Sequence, residues 1–209
     1  MIEELFLILV FLFSIVLHEV SHGTVAFYLG DPTAKEAGRL TLNPLKHLDP
    51  FGSIILPFFL FLMTRLTGQG IIFGWAKPVP INPFNFRDQK YGAAKVALAG
   101  PASNLLVALV FGLALRFFPG IWNLPALSFI FGYIVFINLL LAIFNLIPIP
   151  PLDGSHILFA FLPPSMTNVK MFLTQFSLFL LLLIIFLFFD LILLLVSFLF
   201  FLIVGTPFF

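Results

Sequence analysis

Residues 5–30, LFLILVFLFSIVLHEVSHGTVAFYLG, join a long apolar run to a cluster of ionisable side chains. A helix rises about 1.5 Å per residue, so a helix over 4–29 is long enough to cross a hydrocarbon core of about 30 Å. His18, Glu19 and His22 interrupt this run near its middle. Ionisable groups are costly inside a membrane and usually serve a function there. The stretch therefore predicts a membrane-spanning helix that carries chemistry.

The composition of the whole chain supports a membrane setting. Of its 209 residues, 61% are hydrophobic and 9% are charged, whereas soluble domains average about 45–50% and about 25%. Such a chain cannot cover a water-facing surface, so lipid is expected to be its solvent and partner. The net charge of +1 gives no sign of a nucleic-acid partner. The absence of cysteine excludes disulfides, thiolate metal sites and cysteine nucleophiles.

Apolar runs and polar breaks alternate along the rest of the chain. Further helices are predicted over 51–66, 91–118 and 123–146, and a polar surface loop over 31–50. Residues 71–86 contain Pro78, Pro80 and Pro83, which exclude a regular helix and favour an extended segment or hairpin. A further proline-rich break lies at 145–155.

The C-terminal apolar region, 171–204, is too long for one upright span of about 20 residues. Asp190 is expected to divide it into a full span and a shorter embedded segment. The sequence therefore predicts an all-α polytopic membrane protein, a single domain over 1–209 with five to six transmembrane or membrane-embedded helices.

His18-Glu19-Val20-Ser21-His22 is the first chemical motif. Residues four apart lie on one helix face, and two imidazoles at that spacing can bind one Zn²⁺. Glu19 then lies beside the metal, where its carboxylate can accept the proton of the attacking water. The alternatives are coincidence or a structural pair of hydrogen-bonded histidines, but such a motif arises by chance in only roughly half a per cent of chains this long.

Catalytic zinc needs a third protein ligand and one open position. His47, His156 and a few carboxylates are candidates. His47 lies among charged residues of the polar loop and is expected to be solvated. Asp153 follows the break at 145–155, where irregular backbone can deliver it inward. His156 competes for this role, or could donate an outer hydrogen bond.

The HExxH motif and a second motif, Asn145-Leu-Ile-Pro148-Ile-Pro150-Pro151-Leu152-Asp153-Gly154, together resemble the site-2 protease family of intramembrane metalloproteases, peptidase family M50. That family's second motif is Asn-x-x-Pro-x-x-Pro-Leu-Asp-Gly, and every fixed position is met here. Gly100-Pro101-Ala102-Ser103-Asn104 also resembles a segment common in the family. The resemblance covers residues from about 10 to 160.

The resemblance implies a zinc metalloendopeptidase that hydrolyses peptide bonds within or next to transmembrane segments of membrane proteins. It implies one Zn²⁺ per chain, held by His18, His22 and Asp153, with Glu19 as general base. Asn145 would lie near the substrate and could help to stabilise the oxyanion, and 71–86 would align the substrate. With no PDZ or CBS domain, the chain resembles the compact type. We expect a multi-pass protein of a prokaryotic cell membrane.

Two other functions compete with this one. A membrane transporter or channel for metal ions also places His and Asp in its spans, but it needs no base beside the metal, so Glu19 argues against it. A catalytically inactive relative would bind transmembrane segments without cutting them. The complete set of His18, Glu19, His22 and Asp153 argues against that.

Overall fold

The computed structural model describes residues 2–67 and 77–208. Its α-helices are α1 (Ile2–Tyr28), α2 (Thr33–Glu36), α3 (Leu56–Thr67), α4 (Gly92–Phe117), α5 (Pro125–Asn145), α6 (Asp153–Phe161), α7 (Thr167–Gln175) and α8 (Ser177–Val204). Short 3-10 turns lie at Pro44–Lys46, Pro83–Asn85, Pro119–Asn123 and Pro164–Met166, and a π-helical turn at Pro50–Ile55 leads into α3.

Four of these helices are long and apolar enough to cross a membrane. The candidate spans are Phe6–Tyr28, Gly92–Phe117, Pro125–Asn145 and Ser177–Val204. α3 has 12 residues, so it is too short for an upright span and is at most embedded. The prediction of an all-α polytopic membrane protein is confirmed, with four long spans where five to six spanning or embedded helices were expected.

The C-terminal helix corrects one expectation. α8 runs through Asp190 without a break, so the predicted division there is wrong. A single Asp lowers helix propensity by well under about 1 kcal/mol, whereas a break inside the membrane would leave backbone groups unpaired. The interruption lies instead at Phe176, between α7 and α8. α8 ends at Val204, and Gly205 caps it in the left-handed conformation, with a φ of 90°. The Gly205 N–H donates to the Phe201 carbonyl at 2.8 Å.

Helices α4, α5 and α8 share the main apolar core. Its buried members are Ala108, Leu115, Val135, Leu139, Ile192, Val196, Phe200 and Val204. Gly112 lets α4 and α8 approach closely, because a Cβ there would lie 2.5 Å from Cγ2 of Ile203. Arg116 at the end of α4 donates to the Leu202 carbonyl at 2.8 Å and so helps to cap α8. This packing fixes α4, which borders the metal centre described below.

The chain after α1 holds the segment 77–86 in place. Residues 71–76 of the predicted extended segment lie outside the described residues; within 77–86 the structure has no α-helix. Asp31 is fully buried and accepts hydrogen bonds from the Asn82 N–H, at 2.7 Å, and from the Asn85 amide, at 2.8 Å. Burial raises the pKa of Asp31, but hydrogen bonds from Thr33, Asn82 and Asn85 outweigh it, so the pKa lies below its ordinary value of 3.8.

The predicted polar loop is less exposed than expected. Arg39 is 7% exposed and donates to the Lys77 carbonyl at 2.7 Å. His47 is fully buried, which contradicts its expected solvation. Its Nε2 bonds to the Thr41 carbonyl at 2.8 Å, and its own carbonyl accepts the Lys77 N–H, also at 2.8 Å. The physical reason is a tertiary contact, because the start of segment 77–86 packs over this loop. The composition of the loop alone does not indicate such a contact.

Candidate metal centre

Helices α1 and α6 bring three metal-ligand side chains together. His18 and His22 lie one turn apart on α1, and Asp153 is the first residue of α6. Asp153 Oδ2 lies 3.0 Å from His18 Nε2 and 3.3 Å from His22 Nε2. All three ligand atoms fall within 4.8 Å of one another, and both histidines are buried. The proline-rich break after α5 delivers Asp153 into this group.

The other nitrogen of each imidazole has a fixed acceptor. His18 Nδ1 lies 2.6 Å from Asn104 Oδ1, and His22 Nδ1 lies 2.7 Å from the Val96 carbonyl oxygen. Both partners are oxygen acceptors, so Nδ1 must carry the proton and donate it. In the neutral imidazoles each Nε2 then presents a lone pair toward Asp153, which is the arrangement that metal-binding histidines require.

The donor set and its spacing fit Zn²⁺. Ligands at about 2.0–2.2 Å around a tetrahedral ion lie about 3.3 Å apart, close to the 3.0 and 3.3 Å between Asp153 and the two imidazoles. Asp153 Oδ2 is buried, and with the proton of each imidazole on Nδ1 its two nearest neighbours, the Nε2 atoms of His18 and His22, are not donors. Two nitrogen lone pairs and a carboxylate oxygen repel one another at this distance. A divalent cation between them would satisfy all three.

Gly100 of α4 makes room for the two imidazoles. A Cβ at this position would lie 2.5 Å from His18 Nε2 and 2.5 Å from His22 Nε2, far inside ordinary contact distance. α4 can therefore pass directly over the ligand atoms only with glycine here. This requirement gives a physical reason for the glycine at the start of the Gly100–Asn104 segment, which the sequence motif alone did not provide.

Glu19 and the segment 77–82 lie beside the three candidate metal ligands. Glu19 Oε2 accepts the Val79 backbone N–H at 2.9 Å. Val79 stands between Pro78 and Pro80, which have no N–H, so its N–H is the one donor of this tripeptide. A cavity of about 320 Å³ adjoins Glu19, His22 and Asp153 and is otherwise lined mainly by apolar side chains.

The remaining predicted residues lie at different distances from this centre. His156 lines the same cavity. His47 is bonded within its own loop. Asn145 donates to the Leu141 carbonyl at 2.9 Å within α5 and is not part of the cavity lining formed by the described residues. Its suggested role toward an oxyanion stays a prediction.

Sequence reasoning missed two parts of the arrangement. Asn138, an isolated amide in α5, is fully buried and bonded to Asn104. The sequence feature that could have indicated Asn138 is a polar side chain inside an otherwise apolar span. The bond from Val79 to Glu19 had a weaker signal, the pattern Pro78-Val79-Pro80, which leaves a single backbone donor.

The comparisons with known proteins agree with one another on the family. A family model described as peptidase family M50 matches residues 122–184. A Bacillus subtilis protein named "Putative zinc metalloprotease YwhC" is 41% identical over 165 residues, covering 76% of this chain and 70% of that protein. A Mycolicibacterium smegmatis protein named "Putative zinc metalloprotease Rip2" is 37% identical over 147 residues, covering 68% of this chain and 52% of that protein.

A Methanocaldococcus jannaschii protein named "Putative zinc metalloprotease MJ0611" is 48% identical over a shorter stretch of 65 residues, 31% of this chain and 32% of that protein. No solved structure matches the chain significantly. The extent of the Bacillus match, the M50 match across the Asn145–Gly154 motif and the four apolar helices point the same way. The chain therefore belongs to peptidase family M50, as its two motifs predicted.

Proposed function

We propose that this protein is an intramembrane zinc metalloendopeptidase, which hydrolyses peptide bonds within or next to transmembrane segments of membrane proteins. The observation that carries the proposal is the convergence of His18 Nε2, His22 Nε2 and Asp153 Oδ2, with both Nδ1 atoms already committed to oxygen acceptors. The names of the related proteins support the same metal and the same class of enzyme.

The depth of the ligands supports cleavage inside the membrane. His18 lies roughly 15 Å along the helix from Tyr28 and roughly 18 Å from Phe6, the two ends of its candidate span. The hydrocarbon core is about 30 Å thick, so His18 is near its middle. A soluble peptide would have to enter the bilayer to reach it, whereas a transmembrane segment is already there.

Each residue of the centre has a distinct role in the proposal. His18, His22 and Asp153 hold one Zn²⁺ per chain, which when bound supplies Lewis-acid chemistry that activates water and polarises the scissile carbonyl. The Glu19 carboxylate accepts the proton of the attacking water and passes it to the leaving amide nitrogen. The Val79 N–H holds Glu19 in its orientation beside the ligands.

The segment 77–82 is proposed to bind the substrate as an added strand. Peptide bonds in an intact transmembrane helix are shielded, so the substrate must unwind and find new partners for its backbone. Addition to an extended segment would provide them, and Pro78, Val79 and Ile81 line the cavity beside Glu19. Ile81→Pro, which removes a backbone donor, is expected to slow cleavage without loss of zinc. Unchanged cleavage would contradict this hypothesis.

The proposed partners are transmembrane protein substrates and membrane lipid. We also propose a prokaryotic cell membrane as the location, because the related proteins come from bacteria and an archaeon. Metal transport remains the competing function from another class. It predicts movement of zinc across a membrane and no dependence on a general base.

The test compares wild-type protein with Glu19→Gln and with Glu36→Gln, an exposed glutamate on α2 that serves as the matched control. Each is purified, its zinc content is measured, and cleavage of a panel of transmembrane peptides is followed by mass spectrometry. We expect all three to hold zinc and only Glu19→Gln to lose cleavage. Zinc uptake by proteoliposomes that is equal in wild type and Glu19→Gln, with no peptide cut, would establish the transporter instead.

A further inference from the structure

We infer that Asn138, which touches neither the proposed zinc nor its ligands, is a positioning residue of the metal centre: through Asn104 it sets which nitrogen of His18 carries the proton. The inference rests on the proposed metal centre and extends it to a third helix, α5. The residues concerned are Ser14, Asn138, Asn104 and His18, called the amide chain below.

The orientation of Asn138, at the far end of the amide chain, is fixed by a backbone carbonyl that can only accept a hydrogen bond. Asn138 is fully buried, and its Nδ2 donates to the Ile134 carbonyl and to Ser14 Oγ, each at 2.9 Å. A backbone carbonyl can only accept, so the NH₂ group of Asn138 must face Ile134. The Oδ1 of Asn138 is thereby left to face Asn104 as an acceptor.

Asn104 transmits this orientation to His18. It is also fully buried, and its Nδ2 donates to Asn138 Oδ1 at 2.8 Å, with the Ser14 carbonyl at 3.3 Å. The donor end of the Asn104 amide is therefore committed toward α5 and the start of the chain. Its Oδ1 must face His18 Nδ1, at 2.6 Å, and so only a protonated Nδ1 fits.

The two metal-site histidines are consequently oriented by different means. His22 Nδ1 donates directly to the Val96 backbone carbonyl, which cannot be reversed. The acceptor for His18 is a side-chain amide, which offers an oxygen or an NH₂ group depending on how it is turned. An Asn104 amide turned the other way would favour the proton on Nε2 and remove the lone pair that faces Asp153. Asn138, whose contact with Asn104 Nδ2 is the shorter, prevents that turn together with the Ser14 carbonyl.

The burial of the amide chain agrees with this role. Asn104 and Asn138 lie in two candidate spans, where buried polar groups are expensive unless every member is paired. Each donor and acceptor described above has a partner within hydrogen-bonding distance. A purely apolar pair at 104 and 138 would hold α4 and α5 together as well, but it would leave His18 Nδ1 without an acceptor.

The first experiment measures zinc affinity, by competition with a chromophoric chelator, for wild type, Asn138→Leu and Val135→Ala. Val135 is the matched control: it is fully buried on the same helix and belongs to the apolar core. Outer-shell partners of metal-binding histidines are typically worth 10–100-fold in affinity. We expect a loss of on the order of ten-fold for Asn138→Leu and unchanged affinity for Val135→Ala.

The second experiment tests the route through Asn104. A carboxylate has two acceptor oxygens and no donor, so an aspartate at this position needs no partner to orient it. In an Asn104→Asp background, Asn138→Leu is therefore expected to leave zinc affinity unchanged, in contrast to its effect in the wild type. A merely structural role for Asn138 predicts the same loss of affinity in both backgrounds, because the packing at 138 is the same in each.

The outcomes separate this inference from the proposed function. Wild-type affinity in folded Asn138→Leu overturns the inference and leaves the metal centre standing, as does an equal loss of affinity from Asn138→Leu with and without Asn104→Asp. Absence of zinc from the wild type would overturn both. Folding is checked by circular dichroism, and Asn138→Ala, which removes the amide without adding bulk, replaces the leucine variant if that does not fold.

Discussion

Gly100→Ala is the substitution whose effect on the metal centre follows most directly from distances. The new Cβ would lie 2.5 Å from Nε2 of both His18 and His22. Ordinary contacts between such atoms are about 3.5 Å, so the imidazoles or α4 must move by about 1 Å. Metal-site distances are held to about 0.2 Å, and the required shift is about five times that. At least one histidine is therefore displaced from its ligand position.

The expected result is a loss of zinc affinity greater than the 10–100-fold that outer-shell changes cause, with cleavage lost in parallel. The helix itself should not suffer, since alanine exceeds glycine in helix propensity by about 1 kcal/mol. Zinc affinity is measured by chelator competition and cleavage with a transmembrane peptide. Gly112→Ala is the matched control on α4, because its Cβ would meet only side chains of Ile203 and Val135, away from the site.

Gly112→Ala is expected to lower thermal stability and to keep zinc, while Gly100→Ala should lose zinc. Wild-type zinc affinity and cleavage in Gly100→Ala would refute the reasoning, because the ligand atoms could not then lie where the structure has them.

Three further predictions test other contacts. Val79→Pro removes the N–H bonded to Glu19 and should reduce cleavage by about ten-fold at unchanged zinc content; equal cleavage in Val79→Pro would show that this bond has no role. Gly154→Ala would make its new Cβ clash with the backbone oxygens of Leu146 and Ile147, so the yield of folded protein should fall sharply. A normal melting curve for this variant would contradict the backbone path into α6. The pKa of Asp31 is lowered on folding, so its contribution to stability is present above the unfolded pKa, near 3.8, and is lost as pH falls through the folded pKa. Melting temperatures from pH 6 to 3 should therefore fall more steeply for wild type than for Asp31→Asn. Parallel curves for the two proteins would argue against this contribution of Asp31.

The sequence specified the parts of the site that depend on local spacing. The two histidines one helical turn apart needed only the period of an α-helix. Asp153 could be singled out because prolines break the helix before it, although His156 competed until the family motif decided for Asp153. The long apolar runs likewise gave the spans, since length and hydropathy suffice for that.

Contacts between distant residues could not be predicted in this way. Ser14 and Asn138 are 124 positions apart, and no local pattern pairs them. His47 was expected to be solvated because its neighbours are charged, yet the segment at Lys77 covers it. Asp190 was expected to end a helix, but the membrane penalises a broken helix more than one acidic residue. These outcomes depend on which surfaces meet.

The most direct test of the account is zinc X-ray absorption spectroscopy on the purified protein, compared with Asp153→Ala and with His156→Ala as the control. His156 lines the same cavity but is not one of the three clustered ligand residues. We expect zinc bound by two imidazole nitrogens and a carboxylate oxygen at about 2.0–2.2 Å, with the carboxylate absent from the zinc shell and zinc content reduced in Asp153→Ala, and with both unchanged in His156→Ala. An unchanged spectrum in Asp153→Ala, or an altered one in His156→Ala, would contradict the account.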